Sequence, residues 1–267
     1  MIRFAFVFAI TVLLAAAAGD VGAQTRSDIK LPKVLFFANS MTSDNTVIRR
    51  PSPETLSVAE RHFEELSQGV FDTTITQDGS EVVAEKLPQY DAVIFFTAIN
   101  PPGVDVDALV ERVSGGGAFV GIHSTANTYQ RIPAFGELLG ARYDRRPWRS
   151  RGNPQTKVRV KVEDRRHPAT RHFGESFEVT DDIYLFRKFD RRKVDLLLSL
   201  VPDSLDLSVP KLEGDLGDLP VAWSKNHGRG RVFYTALGDW EEVWRNPNYR
   251  THLIEGTRWA MKANSGG

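Results

Sequence analysis

The chain has 267 residues, no cysteine, and a formal net charge of zero from 34 basic and 34 acidic residues. The absence of cysteine excludes disulfides, thiolate metal sites and a cysteine nucleophile. The balanced charge does not indicate a nucleic-acid-binding surface. The one local basic run, the arginine-rich stretch 142–151, is typical of a solvated loop that pairs with acidic neighbours.

The first residues have the pattern of a secretory leader. Arg3 supplies one positive charge, an apolar run extends over 4–18, and small residues end in Val21-Gly22-Ala23. This pattern predicts a signal peptide over 1–23, then a linker over 24–31 and one domain over 32–263. Export without disulfides is typical of a bacterial periplasmic or secreted protein, with no integral membrane segment left after cleavage. The alternative is a retained N-terminal anchor, although the apolar run is short for a membrane-spanning helix.

Alternating apolar strands and helical patterns fill the first half of the mature chain. The predicted elements are a strand at 33–37, a helix opened by Ser52-Pro53-Glu54 and ended by Gly69, a strand at 71–76, a short helix at 80–87, a strand at 92–97, a helix ending at Val113, and a strand at 118–122. Strands that are apolar along their whole length predict a parallel sheet covered on both faces.

The second half has a different pattern. Residues 155–162 alternate polar and apolar, which predicts an antiparallel strand with one wet face. Further strands are predicted at 194–200, 221–224 and 231–236, with a hairpin turn at 226–230 and a C-terminal amphipathic helix at 248–262. The expected fold is an α/β sandwich whose central sheet is mostly parallel, with additional antiparallel strands in the second half.

The segment Gly121-Ile122-His123-Ser124-Thr125 resembles a nucleophile elbow, in which the third residue is the nucleophile. Histidine holds that position here, and Ser124 comes one residue late, so a Ser-His hydrolase is disfavoured. His123 follows a buried strand at the carboxyl edge of the sheet, where such folds place their binding groups. Three roles stay open for His123: a general base, a metal ligand or a hydrogen-bonded core residue.

Three other polar segments follow strands or lie in loops. Adjacent Asp181 and Asp182 on a strand would face opposite ways, so both cannot enter one site, and a solvated turn is the alternative. Asp239 follows the strand at 231–236 and could meet His123 across the sheet edge. His167 lies in a loop, and capping of that loop is its alternative role. No H-E-x-x-H motif is present, so a metal held by His123 and Asp239 would need partners that the spacing does not identify.

Several motifs together resemble the ThuA-like (trehalose utilisation) family. They are SGGGAFVGIHSTAN at 114–127, ELLGARYDRRPW at 137–148, VEDRRHPAT at 162–170, EVTDDIY at 178–184 and GRGRVFYTALGD at 228–239. The resemblance runs in order from about Lys33 to Ala260. It implies a flavodoxin-like three-layer sandwich, as in class I glutamine amidotransferases with the elbow cysteine replaced. It also implies a role in the catabolism of trehalose or related disaccharides through keto-sugars.

The catalytic candidates are His123 and Asp182, which match the family's elbow histidine and its T-D-E-x-Y segment, and Asp239, which follows the strand at 231–236. The substrate-binding candidates are Tyr184, Trp148, Arg50, Arg146, Asn127 and His167. Four of the family's usual polar positions differ here: Arg50 and Arg146 stand near or at histidine positions, Asn127 stands for an acid, and Asp239 stands for a histidine. Arginine neither ligates a metal nor acts as a base near neutral pH, but it binds anions well.

Three hypotheses follow. In the first, the protein is a carbohydrate-processing enzyme with His123 as the acid–base group. In the second, it is an inactive sugar- or anion-binding module that grips its ligand with Arg50 and Arg146. In the third, a divalent metal at His123 and Asp239 supports hydrolysis. A small carbohydrate ligand is the expected partner, and a homo-oligomer is left open.

Overall fold

A mixed sheet forms the centre of the computed structural model, which describes residues 30–40, 46–149, 156–209, 212 and 217–262. The predicted signal peptide and most of the predicted linker lie outside these ranges. The residues from Leu31 onward form one compact unit. None of the helices in the described ranges has the length and apolar character needed to cross a membrane.

The described strands are β1 (Lys33–Ser40), β2 (Asp72–Thr76), β3 (Ala92–Ala98), β4 (Ala118–Ile122), β5 (Arg142–Arg145), β6 (Thr156–Val162), β7 (Ser176–Asp181), β8 (Leu185–Arg187), β9 (Asp195–Leu200), β10 (Pro220–His227) and β11 (Gly230–Thr235). The described α-helices are α1 (Val58–Ser67), α2 (Val106–Ser114), α3 (Pro133–Leu139), α4 (Glu241–Arg245) and α5 (Pro247–Met261).

The main sheet has the strand order β2-β1-β3-β4-β11-β10-β9-β6-β7. The first five strands in this order pair in parallel, and the pairings from β11 to β7 are antiparallel. The parallel first half and antiparallel second half expected from the hydropathy patterns are therefore confirmed. The strands β5 and β8 form a separate antiparallel ribbon.

Helices cover both faces of the sheet. Successive residues of β11 show this, because neighbouring side chains on a strand point to opposite faces. Phe233 packs on Gly256 of α5, where any Cβ would overlap the ring. Tyr234 stacks on Trp223, whose indole N–H donates to the carbonyl of Leu139 in α3. The result is a three-layer sandwich.

The antiparallel half curves back toward the parallel half. In the strand order β7 is four places from β11, so a flat sheet would separate them by about 19 Å. Yet the Asp181 carboxylate at the end of β7 accepts a hydrogen bond of 2.7 Å from the N–H of Gly238, three residues after β11. Curvature of the sheet and the segment 236–238 together close this gap.

Two predicted elements were wrong in detail. The helix α1 begins after Ser57, not at Ser52, because Ser57 and Glu60 form a reciprocal capping box. Ser52 instead forms a small turn with Thr55. The segment predicted as a helix over 80–87 contains two single 3₁₀ turns, at Gly79–Glu81 and Leu87–Gln89.

A candidate active site at the carboxyl edge of the sheet

The elbow after β4 has the backbone expected for a nucleophile elbow. His123 has φ of 41°, in the left-handed region, and begins a 3₁₀ turn over His123–Asn127. A Cβ on Gly121 would lie 2.8 Å from Leu139 and 2.9 Å from Tyr234, so only glycine fits there. Thr125, in place of the second glycine, donates its hydroxyl to the carbonyl of Phe95 in β3 at 2.7 Å. This bond ties the turn to the neighbouring strand.

The His123 ring is completely buried and held in one orientation. Its Nδ1 lies 2.6 Å from the carbonyl oxygen of Ala236. Since a carbonyl only accepts, Nδ1 carries a proton, and the lone pair of the neutral ring is on Nε2. Nε2 has no hydrogen-bond partner among the described residues and lies 3.7 Å from Oδ1 of Asp239. The ring is therefore poised to accept a proton or a cation at Nε2.

A buried carboxylate beneath the site fixes the position of Asp239. Asp181 accepts the backbone N–H groups of Gly238 at 2.7 Å, Asp239 at 3.1 Å and Asp182 at 2.9 Å. Gly238 has φ of 124°, and a Cβ there would lie 2.6 Å from the hydroxyl of Tyr249. Asp181 thus anchors two other acidic residues by their backbones. Asp182 belongs to the group of His123 and Asp239, and Asp181 binds the backbone of that group, so the alternative of a solvated turn was wrong because both are buried.

Asp182 joins the site together with two arginines. Its Oδ2 accepts Nη1 of Arg146 and Nη1 of Arg149, both at 2.9 Å. Its Oδ1 is buried and has no hydrogen-bond partner among the described residues. Arg146 follows β5, and the pairing of β5 with β8 brings it beside the segment 182–184.

Aromatic rings wall the site on one side. The Tyr184 ring lies 4.1 Å from the His123 ring, centroid to centroid, at 42°. Tyr143 of β5 lies 4.6 Å from Tyr184. Burial raises the pKa of both tyrosines, and that of Tyr184 well above its ordinary value, so both phenols stay protonated near neutral pH.

Burial also governs the acidic groups. It raises the pKa of Asp181 to about 7, although His123 and the backbone N–H donors of Gly238 and Asp182 favour the ionised form. Burial likewise raises the pKa of Asp239, with His123 opposing and Asp182 reinforcing the shift. Carboxyl groups held away from water beside an imidazole are a common arrangement for proton transfer.

The same groups form a set of donors for a cation. One ligand atom each from His123, Asp182 and Asp239 lies within 4.8 Å of the others. The separation of 3.7 Å between Nε2 and Asp239 Oδ1 is close to the ~3.4 Å between ligands of a tetrahedral zinc ion. The bond from Nδ1 to a carbonyl is also the usual support of a metal-binding histidine. Arg146 and Arg149 act against cation binding, because they bring positive charge to Asp182.

Four predicted substrate-binding residues are positioned as follows. Arg50 makes a bidentate pair with the buried Glu60 at the start of α1. Trp148 is 9% exposed, and its indole N–H donates to the carbonyl of Asp206. Asn127 lies half-buried at the end of the turn that His123 begins.

The fourth of these residues, His167, lies toward the opposite edge of the sheet. Its ring packs on Trp259 at 4.9 Å, and Arg231 lies over the same indole. Arg231 pairs with Ala118 at the start of β4, whereas His123 follows the end of that strand. Nδ1 of His167 accepts the N–H of Ala169 at 3.2 Å, the loop-capping role given as the alternative.

Three residues of the site were missed. Asp181 contacts Gly238 across 57 positions of sequence, and no local pattern reveals such a contact. Arg149 and Tyr143 lie in the arginine-rich stretch that was interpreted as solvated. The prediction that this stretch pairs with acidic residues was correct for Arg149, but its partner, the Asp182 carboxylate, is buried.

The parallel strands have the order β2-β1-β3-β4-β11, which is the 2-1-3-4-5 order of a flavodoxin-like α/β protein. The elbow after β4 carries a buried histidine in place of a thiol nucleophile. The family model described as trehalose utilisation, ThuA, matches residues 34–260. The chain belongs to the ThuA family. A search among curated proteins found no match.

Solved structures agree with this assignment. A ThuA-like protein from Bacteroides uniformis is 25% identical, with 90% of this chain and 95% of that chain covered and a TM-score of 0.71. A ThuA-like protein from Parabacteroides merdae is 17% identical, with 87% and 90% covered and a TM-score of 0.62. A GMP synthase protein from Thermoplasma acidophilum, 12% identical with 86% and 96% covered and a TM-score of 0.50, shares the fold alone.

Proposed function

We propose that this ThuA-family protein processes a carbohydrate, trehalose or a related disaccharide or its keto-sugar, with His123 as the acid–base group. The observation that carries the proposal is the buried, unpartnered Nε2 of His123, which faces Asp239 across 3.7 Å. Family membership supports the link to trehalose utilisation. The substrate and the reaction are inferred.

In the proposed mechanism His123 Nε2 takes a proton from a sugar hydroxyl, or from a carbon next to a keto group. The carbonyl of Ala236 holds the protonated Nδ1 throughout, so the ring does not rotate. The nearby Asp239 carboxylate stabilises the imidazolium that forms, and general base catalysis of this kind contributes roughly 10²–10⁴-fold in rate. Asp182, held by Arg146 and Arg149, supplies an acceptor at Oδ1 for a second hydroxyl.

The variant His123→Asn tests this role. Asparagine tolerates a positive φ, so the elbow is expected to fold, but it has no basic nitrogen. We expect turnover of a keto-sugar or disaccharide to fall at least about 100-fold, with an unchanged thermal unfolding midpoint. His167→Asn, which alters the loop-capping histidine, is the matched control and should keep its turnover. Unchanged turnover in His123→Asn would contradict the proposal.

A second candidate function is metal-dependent hydrolysis at the same site. It is favoured by two orphaned buried atoms, His123 Nε2 and Asp182 Oδ1, which together with Asp239 form a donor set. A divalent ion there would lower the pKa of a bound water and polarise a substrate oxygen. Metal analysis of the purified protein and of Asp239→Asn separates the two candidates. Stoichiometric metal lost in the variant supports this one, whereas a metal-free protein that cannot be reconstituted but turns over sugar rules it out.

The binding-module alternative has less support. The guanidinium of Arg50 pairs with Glu60, and that of Arg146 pairs with Asp182. Both guanidinium groups therefore already bind a carboxylate of this chain in place of an anionic ligand. Saturable sugar binding that persists in His123→Asn, with no turnover across a substrate panel, would favour this alternative.

The periplasmic or secreted location stays a prediction from the leader pattern at residues 1–23. It is checked by cell fractionation and by mass spectrometry of the mature N-terminus. A chain that begins near Gln24 in the exported fraction would support it, and an intact Met1 in the cytoplasm would contradict it.

A further inference from the structure

A second cavity, away from the His123 site, collects positive charge. It has a volume of about 460 Å³ and lies between α3, the end of β10 and the segment after β8. Its charged lining consists of Arg142, Lys188, Lys193, Lys225 and a single carboxylate, Glu137. None of the residues proposed for the His123 site lines it.

The lysines of this cavity differ from the two lysines on β6. Lys157 and Lys161 on β6 each pair with a glutamate. Lys188, Lys193 and Lys225 make no ion pair with a carboxylate of the described residues. Lys188, Lys193 and Lys225 therefore bring three ammonium groups without a carboxylate partner in the described residues to one cavity.

The cavity is built into the fold and is not a chance group of surface side chains. Lys225 is half-buried, and its ammonium donates to the backbone carbonyl of Glu137. Burial lowers the pKa of Lys225, and the neighbouring Lys193 reinforces this shift while Glu137 opposes it. Gly140, with φ of 95°, leaves room for this side chain, since a Cβ there would lie 3.1 Å from Cδ of Lys225. Gly136 does the same for Arg142, because a Cβ would overlap the guanidinium.

The chain also adopts a costly backbone conformation at the cavity rim. Lys188 has φ of 58°, although it is not a glycine, and residues with a side chain rarely adopt this left-handed conformation. It occurs directly after β8 and places a third lysine at the cavity. Uncompensated like charges repel one another, so a bound anion would relieve the electrostatic cost.

We propose that this cavity is a binding site for a small phosphate-bearing ligand, either free phosphate or a phosphate monoester. Ammonium groups bind phosphate oxygens as point charges, and three of them around one cavity match a dianion. The volume exceeds what one phosphate ion fills and lies within the range of small-molecule pockets. A sugar-sized group attached to the phosphate would therefore fit beside Pro133 and Gly136.

The cavity and the His123 site share one element of structure. The ribbon of β5 and β8 has Arg145 paired with Leu185 at the end near Tyr184 and Arg146. At its other end Arg142 pairs with Arg187, directly before Lys188. Ligand binding at one end of this ribbon therefore acts on an element that also carries residues of the His123 site.

Calorimetric titration of the full chain with inorganic phosphate, glucose 6-phosphate and glucose tests the proposal. We expect saturable binding of both phosphates and none of glucose. Tighter binding of glucose 6-phosphate would identify a monoester as the ligand, and equal affinities would identify free phosphate. Lys188→Gln and Lys193→Gln should each weaken binding at least about ten-fold, because each removes one ammonium group that binds the phosphate through a charged hydrogen bond.

Lys157→Gln, an exposed lysine on β6, is the matched control and should bind as the parent chain does. The two cavity variants lie on the surface and are expected to keep the thermal midpoint. If no phosphate binds at millimolar concentration, or if both cavity variants bind as tightly as the control, the proposal is overturned. Because the readout is binding, this result is independent of whether His123 is catalytic.

Discussion

Among single residues, Asp181 has the widest structural effect in the site, although it is completely buried beneath it. It fixes Asp239 and Asp182 through their backbone N–H groups. An aspartate in this position is an orienting group, and its contribution comes from satisfying several donors at once. Asp239 and Asp182 depend on it for the position of their backbones.

Replacing Asp181 with asparagine therefore has a defined cost. The amide has one acceptor oxygen and turns an NH₂ group toward backbone donors, which leaves N–H groups of 238 or 239 unpaired. We expect a loss of about 2 kcal/mol in the free energy of unfolding, measured by urea denaturation. Asp72→Asn, at an exposed position on the edge strand β2, is the control and should change stability little. A variant as stable as the parent chain would show that Asp181 is not an anchor.

Individual residues also show which parts of the site could be predicted from the sequence. His123, Asp239, Asp182, Tyr184 and Arg146 converge in the structure, and the strand-end rule or the family motifs pointed to each. The anchoring role of Asp181 and the ion pair of Arg149 were not foreseen, because their partners are set by long-range packing. The family motifs also suggested Arg50, Trp148 and His167, whose contacts in this chain are structural.

Among the elements, α1 shows how local chemistry decides where a helix begins. Ser52-Pro53-Glu54 has the composition of a helix start, but Ser57 and Glu60 have the reciprocal spacing of a capping box. Arg50 then pairs with the Glu60 carboxylate, which the capping box has already oriented. The composition of 52–54 therefore did not identify the start, whereas the S-x-x-E spacing of Ser57 and Glu60 is the local signal that does.

Alanine substitution at the two serines separates these starts. Ser57→Ala removes the cap and should lower the free energy of unfolding by about 1 kcal/mol. Ser52→Ala should have almost no effect, because its hydroxyl bonds Thr55 at the surface and caps no helix among the described residues. Urea denaturation of both variants checks this prediction, and equal effects of the two substitutions would contradict it.

For the molecule as a whole, the hydropathy patterns predicted the strands and their parallel or antiparallel pairing, but not the curvature of the sheet. Strands that are apolar along their whole length predicted the parallel half of the sheet, and the alternation in 156–162 predicted an antiparallel strand. The curvature that returns β7 to Gly238 has no sequence signal, because it results from the accumulated twist of five strands. The site is completed by that curvature, so its full set of residues was not predictable from local patterns.

Stability of the whole molecule should depend on pH through a buried histidine. Burial lowers the pKa of His252 to about 3, in surroundings that include His167, His172 and the carbonyl of Ala169. In the unfolded chain a histidine binds a proton below about pH 6.5, whereas folded His252 does not until far lower pH. The unfolded state therefore binds more protons across this window, and stability falls as the pH falls below 6.5.

Comparing parent and His252→Gln proteins at pH 7 and pH 5 tests this linkage. We expect the loss of unfolding free energy between the two pH values to be about 2 kcal/mol smaller in the variant. Asp181, whose pKa is raised to about 7, acts in the opposite direction in both proteins and cancels in the comparison. An unchanged difference between the two pH values would contradict the assignment.

The position of β11 determines when the sheet can be completed during synthesis. This strand lies at the centre, between β4 and β10, yet it is formed by Gly230–Thr235, near the end of the chain. Until those residues leave the ribosome, β4 has an open edge and neither Ala236 nor Asp239 can reach His123. A growing chain of this topology thus lacks its central strand, and its site is unassembled, until residues 230–239 have been made. Such delayed completion would suit the export that the leader pattern predicts, in which a chain crosses the membrane before it folds.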